Sequence, residues 1–100
     1  MKVNLKKPFR DVKGNPVKLN GSDHLISDAV CFALFNLAQI GGQPASADQK
    51  YQAYGLFKKV QADPSKVEIS TEEGTFIKQI CLEVLSAGAY GQLVDTIEGK

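Results

Sequence analysis

MKVNLKKPFRDVKGNPVKLN, residues 1–20, decides the fold. Val3 and Leu5 alternate with Asn4 and Lys6, and Val17 and Leu19 alternate with Lys18 and Asn20. A period of two places each apolar pair on one face and the lysines on the other. Between the two stretches, Asp11-Val12-Lys13-Gly14-Asn15-Pro16 carries turn chemistry. Asp bonds its own backbone, Gly accepts a positive φ, and Pro fixes φ while removing a donor. Residues 1–20 therefore read as a basic β-hairpin. A two-stranded ribbon is barely stable alone, so its apolar face must lie on helices.

Those helices are expected in residues 22–98. The first is expected over Ser22–Ile40, capped by Asn20-Gly21-Ser22-Asp23, nearly all apolar after Asp28, and ended by Gly41-Gly42. The second, over Ala47–Ala62, begins with a capping box of Ser46 and Gln49 and carries the stripe Ala53, Leu56, Phe57, Val60. The third starts at Ser70 or Thr71, with Glu72 and Glu73 suiting the positive end of its dipole. Its stripe is Ile77, Ile80, Cys81 and Val84, and Ser86-Ala87-Gly88 breaks it. A last short helix over Ala89–Glu98 shows Tyr90, Leu93, Val94 and Ile97. Residues 66–70 alternate, which fits either a third short strand at 67–69 or an extended connector. The expected fold is α+β: one domain, residues 1–100, with an N-terminal hairpin on three to four short helices. The expected core is Val3, Leu5, Leu19, Ile26, Val30, Leu34, Phe57, Val60, Ile77, Ile80, Cys81, Val84, Leu93 and Val94.

The order of these motifs resembles a group of small tailed-bacteriophage and prophage proteins of about this length. The matching positions are the turn residues Asp11, Gly14 and Pro16, then Lys50, Tyr54 and Leu56, then Val67-Glu68-Ile69-Ser70, and finally Gly91-Gln92. The stretch GGQPASADQK, residues 41–50, departs from the group in being longer and more polar. The resemblance implies a bacterial host cytoplasm as the setting and supplies no catalytic residue.

Composition narrows the chemistry. With 43% apolar and 23% charged residues the chain is of ordinary globular make-up, which argues against disorder or a fibrous array. The net charge of +1 conceals a dipole. Residues 1–20 hold Lys2, Lys6, Lys7, Arg10, Lys13 and Lys18 against Asp11 alone, while residues 67–100 hold six acids against Lys78 and Lys100. No apolar run is long enough to span a bilayer and no signal-peptide pattern is present, so a cytoplasmic protein without a membrane partner is expected. Cys31 and Cys81 lack CxxC spacing and a nearby histidine, and read as two reduced, buried thiols.

Three function classes follow. An enzyme is disfavoured: the one histidine, His24, sits beside the capping residues Ser22 and Asp23, and no phosphate loop or orienting third group is specified. No catalytic residue, metal site or cofactor is expected. Nucleic-acid binding would use Lys2, Lys6, Lys7, Arg10, Lys13 and Lys18 against phosphates, with Phe9 stacking on a base. Lysine on exposed strands is also an edge-protecting device, and the chain has a single arginine. Protein–protein interaction is the leading expectation. Phe32 and Phe35 exceed what a small core needs, and Tyr51, Tyr54 and Tyr90 suit interfaces because the ring is apolar and the hydroxyl stays wet. The reading is a non-enzymatic adaptor binding a phage or host protein, or a second copy of itself.

Overall fold

A computed structural model describes all residues, 1–100. In chain order the elements are β1 (Lys2–Val3), β2 (Lys18–Leu19), β3 (Ser22–Asp23), α1 (Ile26–Phe35), β4 (Gln39–Ile40), β5 (Gln43–Pro44), α2 (Ala47–Ala62), β6 (Val67–Glu68), α3 (Thr71–Leu82) and α4 (Ala87–Glu98). Four helices and three two-stranded antiparallel sheets make the α+β fold that the sequence predicts.

The N-terminal hairpin forms with shorter arms than expected. Arg10 bridges Pro16, and the Val17 N–H donates to the Phe9 carbonyl at 2.8 Å. The Asp11 carboxylate closes the turn, accepting from the backbone N–H groups of Lys13 and Asn15 at 2.9 and 3.0 Å. The alternating stretch at 3–5 takes a different partner. β1 pairs with β6, Lys2 opposite Glu68 and Val3 opposite Val67, so the third short strand exists and replaces residues 17–19 in that role. Pro8 gives the reason. It has no N–H to continue a ladder, so the extended chain is divided there. The piece before it runs along β6, and the piece after it enters the hairpin.

α1 is shorter at both ends than the expected 22–40. Asn20 and Gly21 have φ of 52° and 83°, the two-residue turn that joins a tight hairpin, so Ser22–Asp23 pair with Lys18–Leu19 instead of capping a helix. The N-cap of α1 is Leu25, which has no capping side chain. Backbone replaces it: the Ile26 and Ser27 N–H groups donate to the Lys7 and Leu5 carbonyls, each at 2.8 Å. Two of the orphan donors of the helix start are thus satisfied by the chain next to β1. At the other end, Gly41 and Gly42 have φ of 60° and 78° and turn β4 into β5 rather than closing a helix. The Glu83 carboxylate accepts from the Gly41 N–H at 2.9 Å and ties this second hairpin to the end of α3.

The remaining helices follow the sequence closely. Both α2 and α3 carry complete capping boxes, Ser46 with Gln49 and Ser70 with Glu73. α4 starts at Ala87, two residues before the expected Ala89, because Ser86 is its N-cap. α3 ends at Leu82, which leaves Val84 beyond the helix and off the expected stripe. Val84 and Leu19, both expected in the core, are more than half exposed, while Phe57 and Val94 are half-buried. The other expected core residues are buried, joined by Phe9, Val67, Ile69, Phe76 and Ile97. Phe9, expected as a base-stacking ring, lies in this core.

Candidate interaction surface

Five aromatic residues were expected to face a partner, and the fold brings three of them together. Tyr51 and Tyr54 lie one turn apart on α2, and Phe35 ends α1 beside them. Phe57 joins the two helices: its ring meets Phe35 edge-on at 5.0 Å and stacks over Tyr54 at 6.2 Å. The Lys58 ammonium sits 4.9 Å above the Tyr54 ring, a favourable cation–π distance. Tyr51 is 77% exposed, Phe35 61% and Tyr54 44%. The result is an aromatic ridge along the α1–α2 seam, anchored at its base by half-buried Phe57. The sequence reading assigned Phe57 to the core. Its spacing of i+3 from Tyr54 was the signal that places the two rings side by side on α2, about 60° apart around the helix.

Phe32 and Tyr90 stand apart from that ridge. Phe32, 70% exposed, is one turn before Phe35 on α1 and leans toward the opposite flank. There it lines a hollow of about 470 Å³ with Leu19, Ala29, Val84 and Leu85, whose polar rim is Ser22, Asp23, His24 and Asp28. Tyr90 lies half-buried in the first turn of α4 and pairs with no other aromatic ring. A second hollow, lined among others by Phe9, Val12, Val17, Ser86 and Gln92, shares His24, Val84 and Leu85 with the first.

The basic residues of 1–20 are all exposed but do not form one unbroken positive surface. Lys18 is ion-paired with Asp23 at 2.6 Å. The Arg10 guanidinium donates to the Gly14 carbonyl at 3.2 Å. Lys2 stands opposite Glu68 in the ladder, and Lys7 borders a shallow groove with Asp95. Lys6 lies near Asp63, whose carboxyl is held below its ordinary value by the Ser65 hydroxyl at 2.7 Å, with Lys66 and Lys6 adding to the effect. Lys13, at the turn tip, makes no ion pair.

Ser22, Asp23, His24 and Asp28, weighed for catalysis, line one hollow together. The His24 ring packs against Phe9 at 5.1 Å and has no side-chain hydrogen bond to Ser22, Asp23 or Asp28. Both cysteines are free thiols. Cys81 is buried, and burial pushes its thiol up to about 12. Cys31, expected to be buried, is only half-buried, because α1 turns it toward the shallow groove it shares with Lys6, Leu25 and Pro64. Its thiol is also raised, by burial first and then by the Asp28 charge. No helix is long and apolar enough to cross a membrane.

One contact missed by sequence reasoning ties the N-terminal hairpin to the helices. The Gln92 side-chain amide pairs with the Arg10 backbone as a neighbouring strand would: its Oε1 accepts from the Arg10 N–H at 2.7 Å, and its Nε2 donates to the Arg10 carbonyl at 2.9 Å. Comparison with known proteins finds no family model, curated protein or solved structure that matches this chain.

Proposed function

We propose that this protein is a non-enzymatic adaptor that binds another protein through the aromatic ridge of α1 and α2. The observation that carries the reading is the exposure of Phe35 and Tyr54 over Phe57, with exposed Tyr51 one turn before Tyr54 on α2. Large apolar rings clustered on a surface lose free energy to water unless a partner covers them, and such clusters mark interaction sites. Tyrosine and phenylalanine also supply contact area at a low entropic cost, which is why they dominate binding energy at interfaces. The resemblance to small phage proteins supports a bacterial cytoplasm, with a phage or host protein as the partner. The interleaving of Lys2, Lys6, Lys7, Arg10 and Lys18 with acids and carbonyls weighs against a phosphate-tracking surface.

The test is a tagged pull-down from bacterial lysate at low and moderate salt, with and without nuclease, comparing the wild-type chain with Tyr51→Ser and Phe35→Ser. A protein band that survives nuclease and salt and is lost in both variants is expected. Captured material that disappears with nuclease, or a band indifferent to both substitutions, overturns the reading. The first of those results transfers the function to Lys2, Lys6, Lys7, Arg10, Lys13 and Lys18.

A further inference from the structure

Val12 is fully exposed at the tip of the N-terminal hairpin. Turn tips favour polar residues, and an apolar side chain held wholly in water there is unexplained by the fold. Lys13 follows it, without an ion-pair partner, and its methylene stem adds apolar surface beside a charge. The tip is therefore an apolar knob carrying one cation.

A matching hole lies on the same face. The hollow lined by Leu19, Ala29, Phe32, Val84 and Leu85 is mostly apolar and has a volume of about 470 Å³, within the range of sites that hold a ligand or an inserted side chain. Asp28 stands on its rim as an exposed carboxylate without an ion-pair partner, whereas Asp23 is held by Lys18. The hollow that Val12 borders adjoins this one, with His24, Val84 and Leu85 lining both, so the knob and the hole lie side by side on the surface.

We infer that this face is a self-complementary interface: two copies of this chain pair about a two-fold axis, each placing Val12 and Lys13 in the other's hollow. A surface with a knob and a hole side by side on one face meets its own complement when a second copy is turned by half a revolution, and every contact then occurs twice. Val12 leaves water against Leu19, Phe32 and Val84, and Lys13 meets Asp28. This pairing goes beyond the adaptor reading and leaves the aromatic ridge of Tyr51 and Tyr54 outside the contact.

Sedimentation equilibrium on the full chain over a dilution series tests it. A dimer mass that falls to the monomer mass on dilution is expected. Val12→Asp should weaken the dimer about 100-fold, since each tenfold loss at one contact is counted at two. Lys13→Glu and Asp28→Lys should each weaken it, and the two together should restore it. Circular dichroism checks that each variant is folded, which exposure of all three positions favours. Tyr51→Ser should leave the dimer intact, so loss of adaptor binding and loss of pairing are read separately. A monomer at every concentration up to the solubility limit overturns the inference. So does a dimer unmoved by Val12→Asp, failed restoration by the double charge reversal, or masses that climb past the dimer.

Discussion

Removing the Gln92 side chain should release the N-terminal hairpin from α4. The two bonds between Gln92 and the Arg10 backbone are short, at 2.7 and 2.9 Å, and they link residues 82 positions apart in sequence. A hydrogen bond of this kind contributes about 0.5–1.5 kcal/mol net, because both groups regain water when it is lost. Two of them give about 1–3 kcal/mol. Alanine is the better helix former by a few tenths of a kcal/mol, which offsets part of that loss. Gln92→Ala is therefore expected to destabilise by about 1–2 kcal/mol, a fall in Tm of about 5–15 °C for a chain of this size. Urea denaturation followed by circular dichroism measures the total. Hydrogen exchange should show the loss concentrated at the Val17 N–H, which bonds to the Phe9 carbonyl in the freed hairpin.

Gln92→Glu separates the latch from mere side-chain packing. The introduced carboxylate has the same shape and still accepts from the Arg10 N–H, but when ionised it cannot donate to the Arg10 carbonyl. The folded state then favours the protonated form, which raises the folded pKa. Stability that depends on a raised pKa is present below the unfolded value of about 4.3 and is lost as pH rises through the folded one. Gln92→Glu should match Gln92→Ala or fall below it at neutral pH, then gain on the wild type as pH drops toward 4. Neutral-pH stability equal to the wild type, in either variant, would refute the latch.

Three further expectations concern the helices and thiols. At Gly74 a Cβ would lie 3.3 Å from Ile97 Cγ2 on α4, so the gain of about 1 kcal/mol from alanine in a helix is cancelled by crowding: Gly74→Ala should be near neutral, and Gly74→Leu should cost about 1–3 kcal/mol in urea melts. The Glu73 carboxyl feels burial, which raises its pKa, but the Ser70 N–H at 2.8 Å and Lys59 at 3.1 Å outweigh it and hold the value low. A depressed folded pKa gives stability that is present above the unfolded value and lost as pH falls through the folded one, so acid unfolding should be shallower in Lys59→Met than in the wild type. With Cys81 pushed up to about 12 and sealed in the core, Ellman's reagent should label one thiol per native chain, that of Cys31, and a second only as urea unfolds the protein; rapid labelling of both in native buffer contradicts the packing.

The core and the helices were legible because periodicity reports burial directly. Ala53, Leu56 and Val60 faced inward as spaced, as did Ile77, Ile80 and Cys81, while Phe57 and Val84 left their stripes; the capping box of Ser46 and Gln49 marked the start of α2 to the residue. The short hairpins were not legible, because turns and helix ends use the same letters. Asn20-Gly21-Ser22-Asp23 reads equally as a cap and as a left-handed two-residue turn followed by a strand, and Gly41-Gly42 reads equally as a helix stop and a hairpin. What decides between them is tertiary: whether a carbonyl from elsewhere reaches the helix start. At α1 the Lys7 and Leu5 carbonyls do, so no capping side chain was needed and residues 20–23 were free to turn. Among the exposed aromatics, Phe35 was singled out because α1 carries more apolar surface than the core needs, and Tyr51 and Tyr54 because a ring with a wet hydroxyl suits an interface. Val12 was not, because sequence does not tell which turn residue projects.

The same backbone caps explain why aromatic side chains of α1 face outward. The bonds from Ile26 to Lys7 and from Ser27 to Leu5 fix the start of α1 on the chain beside β1. They set its rotation so that Ile26, Ser27, Val30, Ala33 and Leu34 are the buried face. Each residue advances about 100° around a helix, so Phe32 and Phe35 fall about 160° and 140° from Val30. With α2 and α3 packed on the inner flanks of α1, no element of the chain remains to cover that outer face. Shifting the rotation to bury Phe32 would expose Val30 and break both backbone caps. The exposed rings are thus a consequence of how the N-terminal segment docks, and an apolar phenylalanine where a polar residue would be solvated is what directs attention to a partner.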